Sequence, residues 1–197
     1  MIHISMNNNK MGKIPSFSLL PLVTCPGKSD FCESKCYASR LCNFRQRVKI
    51  NAEENTVESR GKHFVPKAIQ AVESIRPVPK AFRLHVMGDF YSTSYICKWL
   101  EIVDYFGGIG SNIQFWGFTR SWRNGNFKLW LERLRDRQNV SLLASIDPTV
   151  KKLPAKGWRI AWIETDKRAG GIHCHGNCFD CGHCYRDNAE DVVLKLI

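Results

Sequence analysis

At 197 residues, 44% of them hydrophobic and 24% charged, the chain is long enough for one sizeable core and too evenly mixed to be disordered or fibrous. Its 29 Lys and Arg against 18 Asp and Glu leave a net charge of +11, which points to an anionic ligand, nucleic acid or an acidic protein partner. No stretch is apolar for long enough to span a membrane, and Pro15 and Pro21 break residues 14–23, the one run resembling an export signal.

In chain order, residues 1–13 are polar and asparagine-rich and read as a flexible N-terminus, with residues 14–197 as a single domain. Residues 17–24 predict a short apolar strand, and Pro26-Gly27 then forces a turn into a loop carrying Cys25, Cys32 and Cys36. Cys42, further along, is left open as a fourth member of that group. Residues 43–76 are charged and helix-favouring, with Gly61 dividing them into two helices and Pro77 and Pro79 ending the second. Residues 81–89 predict a strand, with Phe82, Leu84 and Val86 alternating before a turn at Gly88.

The rhythm then repeats. Tyr95, Trp99, Ile102, Val103 and Phe106 share one face of a helix over 94–106, which Gly107-Gly108 is expected to stop. Residues 113–119 form the next strand. Phe127, Trp130, Leu131 and Leu134 mark a helix, and 140–146 and 159–163 are two further strands.

Alternating strands and helices imply a parallel α/β sheet, because parallel neighbours need crossover connections. Five strands are too few for a closed eight-stranded barrel, so a partial, curved parallel β/α barrel is expected. Ligand sites of such sheets lie at the carboxyl ends of the strands, which here end in polar residues. His85, Asp89, Arg120, Asp147 and Glu164 are therefore the candidate catalytic residues, lining a pocket for a small-molecule substrate.

The strongest chemical signal comes last. Cys174, Cys178, Cys181 and Cys184 fall within eleven residues at spacings of three, two and two, the tight run that suits a [4Fe-4S] cluster. Zinc is the alternative, since His173, His175 and His183 are interleaved with the thiols. Disulfides are a less favoured alternative, since adjacent cysteines in so short a loop cannot all adopt unstrained bridges. With Cys25, Cys32 and Cys36 as a second set, the chain is expected to hold two [4Fe-4S] clusters, the three-thiolate one leaving an iron open. The cysteine-rich tail is expected to close the mouth of the barrel. Two such clusters on seven thiolates would lower the net charge only to about +8. Clustered thiols of this kind imply a reducing, cytoplasmic compartment.

A strand, a three-cysteine loop, a helix and a strand ending in Gly88-Asp89 together resemble the first half of the radical S-adenosylmethionine superfamily. That resemblance implies that Gly88, Asp89 and Phe90 bind the amino group of S-adenosylmethionine. The C-x6-C-x3-C spacing departs from the superfamily's C-x3-C-x2-C. A closer resemblance, to a phage family named for gene product eighty-eight of mycobacteriophages, rests on five pieces. They are Thr24-Cys-Pro-Gly27 with Cys32-Glu-Ser-Lys-Cys-Tyr-Ala38, Phe82-Arg-Leu-His-Val-Met-Gly-Asp89, Gly117-Phe-Thr-Arg-Ser121, Ser145-Ile-Asp147 and Cys178-Phe-Asp-Cys-Gly-His-Cys-Tyr185. It implies a cluster-bearing phage accessory protein acting in the host cytoplasm.

The function expected is thus an iron–sulfur oxidoreductase or radical-type enzyme. A non-catalytic electron carrier serving a redox partner is the first alternative. The second is a metal-braced nucleic-acid-binding protein, with Arg133, Arg135, Arg137 and other arginines on phosphate and Trp116, Trp122 and Trp158 available for stacking.

Overall fold

The computed structural model describes residues 1–6, 8–186 and 190–196. Its frame is one eight-stranded sheet among the described residues, in the order β1-β2-β3-β4-β5-β6-β8-β7. The strands are β1 (Ile4–Ser5), β2 (Ser16–Phe17), β3 (Ala81–Leu84), β4 (Gln114–Thr119), β5 (Val140–Ile146), β6 (Arg159–Ile163), β7 (Ile172–His173) and β8 (Val192–Leu194). Every pairing is parallel except that of β1 with β2. The parallel α/β reading therefore holds, and the strands at 140–146 and 159–163 fall at their expected bounds.

The structure differs from the sequence expectations at several elements. The strand predicted over 17–24 pairs only at Ser16–Phe17: Pro21 has no amide to give a ladder, Leu22 adopts a left-handed φ of 65°, and the chain turns with the Thr24 amide bonded to the Leu20 carbonyl. The sheet has three strands beyond the expected five; β1, β7 and β8 are two or three residues long, too short to show a period. The helix expected to stop at Gly107-Gly108 includes both glycines, and Gly110, at φ 69°, lets the Gly110 and Ser111 amides close it onto Gly107 and Phe106. Residues 1–13, read as flexible, supply β1 and the fully buried Met11.

Period-2 geometry gives the sheet two distinct faces. Phe17, Phe82, Leu84, Phe115 and Leu142 lie on one, in a single core with α4 (Phe64–Glu73), α5 (Thr93–Gly108) and α6 (Lys128–Arg135). Trp99 of α5 sits at its centre, against the rings of Phe17, Phe64 and Phe82. On the opposite face Arg83, Trp116 and Ser141 stand in register across β3, β4 and β5. That face is covered by the C-terminal cysteine segment together with Met11 and Ile14. Three further helices carry or follow the first cysteines: α1 (Asp30–Ser34) contains Cys32, Cys36 caps α2 (Tyr37–Phe44), and α3 (Gln46–Arg60) comes next. No described helix is long and apolar enough to cross a membrane.

The cysteine tail does not close the carboxyl ends of the strands. Parallel pairing of β7 and β8 onto β6 lays it along the sheet face instead. From there the Cys184 carbonyl accepts from Ser141 Oγ at 2.7 Å, Arg159 donates to the His183 carbonyl, and Tyr185 packs on Trp116, all near the strands' amino ends.

Candidate functional site

The carboxyl ends of β3, β4 and β5 hold the first cysteine loop. Gly27 lies against the backbone of Arg120 so closely that a Cβ there would meet the Arg120 carbonyl oxygen at 2.1 Å. Gly88, at φ 77°, is similarly enclosed by Leu19 and Thr24. Ser29 caps α1: its Oγ accepts from the Cys32 amide at 3.1 Å and donates to Asp147 Oδ2 at 2.6 Å. Asp147, just beyond β5 and fully buried, also binds Arg120 Nη1 at 2.5 Å and the Thr149 amide and hydroxyl. Burial pushes the Asp147 carboxyl up, but Ser29, Thr149 and the Arg120 guanidinium outweigh it and hold the group below its ordinary range. Two of the five candidate catalytic residues thus form an ion pair beside Cys32.

Asp89 is placed differently from a catalytic base. Its carboxylate accepts from Thr119 Oγ1 at 2.7 Å, the Phe90 amide at 2.7 Å, the Arg120 amide at 2.8 Å and the Ser121 amide at 3.1 Å. It ties the end of β3 to the end of β4, although burial pushes its pKa up against those four donors. Phe90 is fully buried in the helix-side core, where its ring packs edge-on to His85. His85, at φ 58°, shares a 2.7 Å hydrogen bond with the Tyr95 hydroxyl, and burial brings its pKa down to about 3. It belongs to the core on the far side of the sheet from the C-terminal cysteines. Glu164 is exposed and accepts from the Leu196 amide at 2.9 Å, bracing the chain end.

Cys25, Cys32 and Cys36 converge. Burial raises the Cys25 thiol to about 12, with Asp89, Cys32 and Cys36 adding to the effect. Cys32 is raised by burial, the Arg120 guanidinium opposing. Cys36 caps α2, its sulfur accepting from the Ser39 amide at 3.4 Å. Cys42 is buried among Ala38, Ala52 and Met87, and its charged neighbours are Cys36, Lys49 and Glu53. Tyr37 lies beside the three-cysteine set: about a third of it is exposed, but its hydroxyl turns inward and donates to the Val86 carbonyl at 2.5 Å.

Cys174, Cys178, Cys181 and Cys184 form the second set, lining a recess of about 30 Å³ with His173, His175 and His183. Cys178 opens α7 (Cys178–Cys181), and its amide donates to the Lys10 carbonyl at 2.8 Å. Burial raises Cys178, with Cys174 and Cys181 adding; burial and Cys178 raise Cys184 to about 12. Thiols so placed ionise only when a cationic centre offsets their charge.

Among the described residues no group of three or more His, Cys, Asp or Glu is arranged to hold a metal ion. Four thiolates on one zinc ion would have to converge to about 3.8 Å from one another, from metal–sulfur bonds of about 2.3 Å. The corners of a cubane hold its thiolates further apart, with the iron–sulfur core between them. The thiol donors of both sets suit such a cluster, six of the seven being partly buried and Cys181 exposed.

The sequence reading missed Arg83 and Tyr37. A parallel strand covered on both faces is normally apolar on both, so an arginine between Phe82 and Leu84 was a legible exception. Of the arginines read as a phosphate grip, which also include Arg40, Arg45, Arg47, Arg120 and Arg123, Arg133 and Arg135 stack on Trp130 and Trp158, and Arg137 pairs with Asp104. Trp116 is fully buried, away from any stacking surface.

Comparison with known proteins gives a family model described as Gene product 88, matching residues 3–193. The chain is 28% identical to the Gene 88 protein of Mycobacterium phage D29 over 180 residues, covering 83% of this chain and 72% of the relative. It is 27% identical to the Gene 88 protein of Mycobacterium phage L5 over the same shares. No solved structure matches.

Proposed function

The chain belongs to the gene product 88 family, and from that premise we propose that it is a phage iron–sulfur protein holding two [4Fe-4S] clusters. In this proposal Cys25, Cys32 and Cys36 hold one cluster with an open iron facing a small-molecule substrate. Cys174, Cys178, Cys181 and Cys184 hold the other, which exchanges electrons with a redox partner. The observation that carries it is the gathering of seven of the nine cysteines into two sets, one at the carboxyl ends of a parallel sheet and one lining a recess.

When bound, an open iron offers a Lewis acid and a docking point, and a fully ligated cluster offers electron transfer. The chain's own part is positional. Asp147 fixes Ser29 and Arg120, Ser29 fixes the Cys32 amide, and Arg120 places a positive charge beside Cys32. The sheet is proposed to act as an open partial barrel, with S-adenosylmethionine docking on the open iron in the enzymatic form of the proposal. An electron carrier without catalysis is its other form.

The test is anaerobic purification with iron, sulfide and zinc analysis, and EPR before and after dithionite. About eight irons and eight sulfides per chain are expected, falling to about four in Cys32→Ala and in Cys184→Ala. Stoichiometric zinc without sulfide, persisting after anaerobic reconstitution, overturns the proposal. Cleavage of S-adenosylmethionine by the reduced protein, lost in Cys32→Ala, separates the enzyme from the carrier.

A further inference from the structure

Arg83 is a cation placed where a parallel sheet normally carries an aliphatic side chain. Its guanidinium carbon lies 4.8 Å from the centre of the Trp116 ring and 5.0 Å from that of Phe118. Its Nε is buried with no hydrogen-bond partner among the described residues, and Nη1 reaches the Met11 sulfur at 3.6 Å. Arg120, also partly buried, instead has the Asp147 carboxylate. Arg83 has two rings and a thioether. Among the described residues no carboxylate pairs with this half-buried cation, so its partner is sought in what else faces that surface.

What faces it is thiol. Cys178 and Cys184 pack in the same cluster as Trp116, Met11 and Tyr185. The Arg83 guanidinium stacks on Trp116 and Phe118, the rings of that same cluster. Arg83 thus lies on the sheet face that the C-terminal cysteines cover. Four thiolates on an oxidised cubane carry a net charge of about −2, enough to supply the missing partner.

We propose that Arg83 is the built-in counter-charge of the C-terminal cluster, a positioning residue that favours the cluster's reduced state. This rests on the iron–sulfur reading above. A fixed positive charge beside a redox centre stabilises the added electron, so removing it lowers the reduction potential.

The test is EPR-monitored redox titration of the full-length protein, with Arg83→Met keeping the apolar stem and Arg83→Lys keeping the charge. Arg83→Met is expected to shift the reduction equilibrium of the C-terminal cluster at least ten-fold toward the oxidised form, 59 mV for a one-electron couple, with a smaller shift at the first cluster. Arg83→Lys is expected to stay within two-fold of wild type. Loss of the second cluster in Arg83→Met but not in Arg83→Lys would also support the role. Unchanged potentials in Arg83→Met, equal shifts in both variants, or loss of the cluster in both overturn it. Wild-type protein that assembles no cluster removes the iron–sulfur reading itself, an outcome seen before either variant is made.

Discussion

Asp89→Asn separates a structural brace from a catalytic base. The native carboxylate accepts four hydrogen bonds, with the Arg120 and Ser121 amides on one oxygen and Thr119 and Phe90 on the other. A carboxamide can keep one oxygen as acceptor but turns an N–H₂ toward the remaining two donors. Two hydrogen bonds to a charged group are then lost at a buried site, each worth about 1.5 kcal/mol or more, so a loss of about 3 kcal/mol is expected. For a chain of this length that lowers Tm by about 6–12 °C. The assay is urea and thermal unfolding of reduced apoprotein, where no ligand contributes. A variant within 0.5 kcal/mol of wild type would refute the brace, returning Asp89 to the cysteine pocket as a group free to act on substrate.

His85 makes stability pH-dependent with a defined sign. Its pKa falls from an ordinary 6.5 to about 3 in the fold, so between those values the unfolded chain binds the extra proton and stability drops as pH falls. By pH 5 the loss from this group is about 2 kcal/mol, and His85→Asn, which also suits the left-handed backbone, should remove that part of the slope in urea titrations at pH 7 and pH 5. Gly27→Ala is expected to destabilise by about 2 kcal/mol or more, because the new methyl meets backbone rather than a movable side chain. Gly108→Ala, with nothing within 4 Å of its Cβ, should instead gain up to about 1 kcal/mol in the same thermal assay. Equal effects from the two glycines would contradict the close approach at Arg120.

Much of the frame was legible because it is local. Strand and helix periods place β3 to β6 and α3 to α6, since Val140 to Ile146 or the Trp99 stripe need only their own neighbours to declare a buried face. The two cysteine sets were legible for the same reason, their members lying close in sequence. The short strands were not, because β7 and β8 exist only through pairing with β6 and with each other. Glu164 and His85 were drawn into one pocket by the rule that polar strand ends form sites, a rule that sees where a residue lies along a strand and not which way its side chain turns.

What the sequence alone determined, then, is the alternating α/β architecture, the thiol chemistry and the phage family. What only the tertiary structure decided is which groups meet. The Ser29 to Asp147 hydrogen bond joins residues 118 apart, and no local pattern encodes it. Strand register sets Arg83 beside Trp116 and Ser141, and the path of β7 and β8 brings Cys178 and Cys184 onto that same face. A one-residue slip of β3 would have turned Arg83 into the helix-side core, so its meeting with the cysteines is a property of the pairing rather than of the chain.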